Sequence, residues 1–167
     1  MTFSSSNVNA RVKSITYNRR THNEARPSKT DVTFTVENLS KRDIKLGCIA
    51  GNYENNPPSK VESFEAQIVI FKHHISITTG YQSILECHRA KVLCTFEKIL
   101  AKCDGSTGKI LEENPESIKS GDSALVKLQL SRPFCVEKFN DYPALGRVIF
   151  IQKGNKEVIG AGIVKSI

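Results

Sequence analysis

Alternation of apolar and polar residues with a period of two is the feature that most constrains the fold of this chain. It is clearest in RAKVLCTFE and SALVKLQL, where every second residue is apolar, and in DVTFTVEN nearer the N-terminus. Successive side chains of a β-strand point to opposite faces of a sheet, so this period predicts strands with one buried face. In EAQIVIF both sets of positions are apolar, which predicts a strand buried on both faces.

Turn-forming clusters separate these segments. GNYENNPPS, KCDGSTGK, ENPES, KSGD and QKGNK alternate with the apolar runs, which continue to the end of the chain in RVIFIQ and VIGAGIV. Short strands at such spacing are typical of an antiparallel sandwich or barrel. We therefore predict an all-β protein, although residues 96–102 fit one or two helical turns as well as they fit a strand.

The clearest domain boundary is the Pro57-Pro58 pair, because proline lacks the N–H that a sheet interior needs and fixes its own φ. We predict one domain over residues 1–58 and another over residues 61–167. The first is short for a closed barrel, whereas the second is long enough for a complete one.

The chain has 167 residues and a formal net charge of +7, which points to a polyanionic partner such as RNA or to a generally basic surface. Lys and Arg outnumber Asp and Glu by 10 to 5 before Val61 and by 14 to 12 from there on. No apolar stretch reaches the roughly 18 residues of a membrane span, and the N-terminus lacks a signal sequence. These features predict a cytoplasmic protein that does not contact membranes.

Three local patterns invite a chemical interpretation. GSTGK, at residues 105–109, resembles the end of a phosphate-binding loop, but it lacks the earlier glycine and the final Ser or Thr, so we predict a hairpin turn and no GTP binding. The spacing of Cys87, His88, Cys94 and Cys103 does not match structural zinc knuckles, so buried thiols are favoured over a metal site. RPFCVEKFNDYPALGR, at residues 132–147, offers usable side chains for catalysis but also fits a corner between strands.

A family resemblance is carried by longer segments. GYQSILECHRAKVLCTFEKIL, KSGDSALVKL and RPFCVEKFNDYPALGR followed by IGAGIVKSI resemble the C-terminal barrel of eukaryotic and archaeal translation elongation factor 1-alpha, in order from about Phe64 to Ile167. ARVKSI, VENLSKRDIKLGCIAG and NNPP resemble the second half of that family's middle barrel. The resemblance implies a partial middle β-barrel followed by a complete antiparallel C-terminal β-barrel. It also implies that the DYPALGR segment is a structural corner.

The resemblance further implies a function. Members of this family bind aminoacyl-tRNA, and the matching positions predict that the RNA backbone is contacted by Arg132, Lys153, Asn155, Lys156, His88, Arg19 and Arg20. We expect Arg132 to lie close to residues 153–156. No part of the family's GTPase domain is found in this sequence, so no catalytic residue, metal or cofactor is expected on the chain.

Three functions remain open at this point. The first is a translation-related module that binds tRNA or other RNA without its own GTPase. The second is a protein-interaction module, because the same barrels of the family contact an exchange-factor subunit, the ribosome or actin. The third is an inactive fragment of the factor.

Overall fold

The structure is a computed structural model of the chain and describes residues 1–4, 9–26, 31–40, 42–55, 57–58, 60–71, 74 and 76–167. The described residues form strands joined by turns and irregular segments, with no helix among them, which confirms the predicted all-β fold. The chain divides into two compact units, Met1–Pro58 and Ser59–Ile167.

The first unit contains two small antiparallel sheets. Its strands are β1 (Thr2–Phe3), β2 (Val12–Tyr17), β3 (Arg20–His22), β4 (Thr33–Val36) and β5 (Ala50–Gly51). Strand β1 pairs with β5, while β2 lies between β3 and β4. In the described part of this unit the buried apolar side chains are Phe3 and Ala10, so little apolar surface is removed from water.

The second unit contains nine strands. They are β6 (Val61–Ile70), β7 (Ile77–Thr78), β8 (Gln82–Cys87), β9 (Ala90–Cys103), β10 (Ile110–Glu113), β11 (Ser117–Ile118), β12 (Ser123–Phe134), β13 (Arg147–Gln152) and β14 (Val158–Ser166). Six of them form a closed antiparallel barrel in the order β9-β12-β6-β14-β13-β8, which returns to β9. Strand β10 extends the sheet along the far end of β9, and β7 pairs with β11 outside the barrel.

The barrel interior is filled by the alternate residues that the sequence pattern selects. Val92, Cys94 and Phe96 of β9 point inward and are buried, as are the corresponding residues of every other barrel strand. Phe96 is fully buried between Phe150, whose ring centroid lies 5.6 Å away, and Tyr81 at 5.8 Å. Closing the sheet removes the unpaired edges that an open sheet would leave, and it encloses one continuous core.

Two sequence expectations are resolved in this unit. Residues 96–102 belong to strand β9, so the helical alternative is wrong. The expectation that EAQIVIF is buried on both faces is also wrong. Ala66, Ile68 and Ile70 face the interior, whereas Val69 is 40% exposed on the outer surface of the barrel.

The DYPALGR segment is a corner held by backbone hydrogen bonds. The N–H groups of Asp141 and Tyr142 both donate to the carbonyl of Lys138, and the N–H of Gly146 donates to the carbonyl of Tyr142. A side chain at Gly146 would place its Cβ 2.4 Å from the Cα of Phe139. The tight approach explains the glycine, and the segment serves as the structural corner that the family resemblance implies.

Candidate nucleic-acid interface

The turn between β8 and β9 projects His88 and Arg89 from one end of the barrel. Both side chains are exposed, and His88 has a φ of 56°. Two-residue hairpin turns need positive φ at their first or at both central positions, which a residue other than glycine adopts at some energetic cost. The tight pairing of Cys87 with Ala90 imposes this conformation on the turn.

Arg132 lies at the same end of the barrel, near the end of β12. Its guanidinium donates a hydrogen bond of 2.8 Å to the carbonyl of Lys91, at the start of β9. The ammonium group of Lys91 forms an ion pair of 2.9 Å with Glu86. Arg89, Lys91 and Arg132, with the imidazole of His88 beside them, therefore form one exposed basic cluster, which we call the turn cluster.

A second exposed turn, between β13 and β14, carries Lys153 and Lys156. Asn155 shapes this turn, because its amide donates to the side chains of Gln152 at 2.9 Å and Glu157 at 3.2 Å, and its Oδ1 accepts from the N–H of Glu157. The predicted role of Asn155 in RNA contact stays a prediction. In this structure the side chain holds the turn in place.

The two turns lie beyond opposite ends of β8, so the expectation that Arg132 is close to residues 153–156 is wrong. Gln152, which precedes the second turn, pairs with Ser83 near the start of β8. The turn cluster instead follows the end of that strand, where Glu86 pairs with Lys91. A strand of this length spans about 17–20 Å. The error arose because the order and register of the strands decide which turns share an end of the barrel, and a match of sequence segments does not reveal them.

Arg19 and Arg20 belong to the first unit and are described within it. Arg19 lies in the turn between β2 and β3 with a φ of 61°, and Arg20 begins β3 opposite Tyr17. Both arginines are exposed. They form an exposed basic pair on a hairpin, and their contact with RNA remains a prediction.

Arg89 and Lys91 were not among the residues predicted for the site. Their place in the turn cluster follows from the pairing of β8 with β9 and from the hydrogen bond of Arg132, 41 residues away. The CHRAK run contains the only available signal, since three basic or titratable residues within four positions surround a tight turn.

GSTGK lies in the loop of the β9–β10 hairpin, which confirms the predicted turn. The backbone N–H groups of Ser106 and Thr107 donate to the carboxylate of Asp104 at 3.1 and 2.7 Å. The hydrogen bond from the Thr107 hydroxyl, together with those from the two amides, lowers the pKa of Asp104. The carboxylate thus accepts hydrogen bonds from two backbone amides of the loop, which stabilises the hairpin turn.

The three cysteines considered for metal binding, Cys87, Cys94 and Cys103, are all buried in the barrel. The Sγ atom of Cys87 lies 3.3 Å from the carbonyl oxygen of Leu145, and that of Cys94 lies 3.2 Å from the hydroxyl of Ser83. Burial raises the pKa of each of these two thiols to about 11. Both groups are therefore protonated at neutral pH and act as small apolar side chains.

These thiols predict that the barrel loses stability at alkaline pH. Because the folded-state pKa of each thiol lies above its unfolded value near 9, their contribution is complete below about pH 9 and is lost as the pH rises towards 11. We expect the urea midpoint to fall between pH 8.5 and pH 10.5 in a circular-dichroism titration, as thiols near pKa 9 titrate there. Replacing both thiols by alanine should flatten this fall, and an unchanged slope would contradict the assignment.

Comparisons with solved structures identify proteins that share this fold. Two solved structures of Sup35, one complexed with GDP and one with GMPPNP, superpose on 99% of this chain with TM-scores of 0.87 and 0.89 at 25% and 24% identity. The chain covers 40% and 39% of those two chains. The fold is thus that of the β-barrel portion of these proteins.

Sequence comparison gives the family. Residues 63–165 match the family described as GTP-eEF1A C-terminal domain-like, and this chain belongs to it. Over its whole length the chain is 40% identical to elongation factor 1-alpha of Coccidioides immitis and to the oocyte form of elongation factor 1-alpha of Xenopus laevis. It spans 36% of the length of each of these relatives. The family resemblance inferred from the sequence is confirmed, and the chain is related to translation elongation.

One further finding concerns membranes. Within the described residues, the structure holds no helix of the length and apolar character that crossing a bilayer requires.

Proposed function

We propose that this chain is a translation-related module that binds the backbone of tRNA, aminoacylated or not, through exposed basic turns of its β-sheets. The observation that carries the proposal is the turn cluster, in which the Arg132 guanidinium is fixed against the Lys91 carbonyl beside an exposed turn. The fixed guanidinium keeps further N–H groups for phosphate, so less side-chain entropy is lost on contact.

The kinship with elongation factor 1-alpha supports a tRNA ligand over a generic polyanion. Lys153 and Lys156 on the far turn supply a second contact, separated from the turn cluster by about 17–20 Å, the length of β8. A single phosphate group cannot contact both turns at once, whereas a nucleic-acid backbone is long enough to do so. We therefore expect the tRNA backbone to extend along this side of the barrel. We also expect the protein to act in the cytoplasm, next to the ribosome.

Salt dependence of tRNA binding tests this function. Contacts with phosphate release counterions, so affinity should fall steeply with salt, and loss of one contact should lower the log–log slope by about one. In a filter-binding titration we expect Arg132→Ala and Lys156→Ala each to weaken binding and to lower the slope. The two effects should add in the double variant, because the residues lie at separate turns.

Lys98→Ala is the matched control, since Lys98 is an exposed lysine in β9 opposite Lys127 and lies in neither turn. It should leave the slope unchanged. Equal effects from all three substitutions would show that only the diffuse net charge attracts the RNA. Absence of tRNA binding at low salt would reject the proposal.

A further inference from the structure

The outer surface of the barrel carries an apolar groove across β6, β14, β13 and β8. Its volume is about 650 Å³. Most of the lining is apolar and includes Val69, Phe71, Ile149, Ala161 and Ile163, while Gln67 adds a polar side chain. Val69 and Phe71 are 40% and 43% exposed, although the strand that leads to them has a fully buried inner face.

The groove exists because a small residue lies between larger ones. Ala161 pairs with Val69 on one side and with Ile149 on the other, so its methyl group leaves a depression between two branched side chains. The neighbouring Gly162 faces the interior, where a Cβ would come within 2.6 Å of the carbonyl oxygen of Gln67. This close packing fixes the backbone under the groove, so the depression is preformed.

One end of the groove is cationic. Arg147 supplies the charge, with His88 beside it, and the guanidinium of Arg147 is held 5.0 Å from the centroid of the Phe139 ring. Glu86 lines the same end, but its carboxylate is paired with the ammonium group of Lys91 at 2.9 Å. The unbalanced charge is therefore positive, and a ligand that fills the groove should carry an anion at this end.

We propose that this groove is a docking site for the apolar face of an acidic amphipathic helix from a partner protein. The apolar stripe crosses three strands, or about 10 Å at roughly 4.8 Å per strand spacing, which matches the ~10.5 Å between residues i and i+7 of a helix. A groove on the convex face of a barrel is too open to enclose a small molecule, but it suits a row of helical anchors. A large side chain enters the depression over Ala161, and an acidic residue of the helix meets Arg147.

A designed peptide pair tests this proposal on the full chain. The probe is a fluorescein-labelled 16-residue helical peptide with leucine at positions i, i+3, i+4 and i+7 and glutamate at the flanking positions, compared with the same peptide carrying glutamine. Fluorescence anisotropy should show the glutamate peptide binding about tenfold more tightly than the glutamine peptide, because one charge-assisted contact contributes on that scale.

Two variants separate the apolar and charged parts of the site. Ala161→Phe fills the depression from the outside of the strand and should weaken both peptides at least about tenfold, as loss of a central anchor does. Arg147→Gln should remove the preference for glutamate and leave the glutamine peptide nearly unaffected. Lys98→Gln removes the same charge outside the groove and should preserve the preference. Circular dichroism of each variant checks that the barrel remains folded.

Several outcomes would overturn the proposal. Absence of binding of the glutamate peptide is one, and equal affinity for the two peptides is another. An unchanged affinity in Ala161→Phe would place the peptide elsewhere. If sedimentation shows that Ala161→Phe instead dissociates a dimer, the groove is an interface between copies of this chain. The peptide would instead be assigned to the RNA-binding surface by two results together. In that case tRNA would displace the peptide, and peptide binding would be lost in Arg132→Ala but not in Ala161→Phe.

Discussion

Amide protons of the barrel should exchange at least about a thousandfold more slowly than those of residues 1–58 in a monomeric sample. Exchange from a core strand requires opening on the scale of global unfolding, about 5–15 kcal/mol, whereas segments with few buried contacts open at little cost. The core cluster extends from Phe64 to Val164, while the described part of the first unit buries the apolar side chains of Phe3 and Ala10.

The sheet arrangement leads to the same expectation. In the first unit β3 and β4 are the outer strands of a three-stranded sheet, whereas the six barrel strands each pair on both sides. Hydrogen–deuterium exchange read by NMR would resolve the two units residue by residue. Uniformly slow exchange would mean that the first unit closes or associates with another chain, and a concentration series would distinguish these two cases.

Much of the barrel could be predicted from the sequence because its strands are regular. The alternation in RAKVLCTFE places Val92, Cys94 and Phe96 on one face, and all three are buried. This inference needs only the geometry of a single strand. The family resemblance implied a complete barrel, but the order of its six strands was not predicted, because strand pairing joins residues far apart in the chain and alternation carries no information about partners.

The outer surface was harder to predict for the same reason. Val69 and Phe71 are apolar, so the pattern of EAQIVIF indicated burial on both faces, yet the outward residues line the open groove. Apolar residues in a sequence indicate side chains that are shielded from water, but they do not indicate whether the protein's own core or a partner protein shields them. The groove therefore could not be predicted from the sequence, since it depends on the strand pairing that places Ala161 between Val69 and Ile149.

The candidate interface shows a further limit of sequence reasoning. Charge and resemblance selected Arg132 and Lys156, but the relative positions of their turns depend on strand direction and register. The hydrogen bond from Arg132 to the Lys91 carbonyl joins residues 41 positions apart. The role of Asn155 in shaping its own turn likewise depends on side-chain geometry, since an exposed asparagine in a basic turn is equally compatible with RNA contact.

Phe96→Ala should lower the free energy of unfolding of the barrel by about 3–5 kcal/mol, the usual cost of removing a fully buried phenylalanine. Phe96 is fully buried and contacts the rings of Tyr81 and Phe150 near the middle of the core. Its N–H and carbonyl also hydrogen-bond to the 80–81 turn, at 2.9 and 2.8 Å, so the surrounding backbone is held in place and cannot collapse into the cavity.

Guanidinium denaturation followed by circular dichroism, with the barrel transition read separately from that of the first unit, would measure this loss. Phe96→Leu keeps most of the volume and should cost less than about 1.5 kcal/mol, which places it between the alanine variant and the wild type. Leu111→Ala is the matched control, because Leu111 is a large apolar residue of the same unit that is 68% exposed, and its loss should stay within about 0.5 kcal/mol.

A loss below about 1 kcal/mol for Phe96→Ala would mean that neighbouring side chains refill the cavity, since a cavity that persists adds its own penalty to the lost transfer energy. The Tyr81 and Phe150 rings would then have to be mobile within the core, contrary to the close-packed interior that fixes the positions of both turns of the candidate interface.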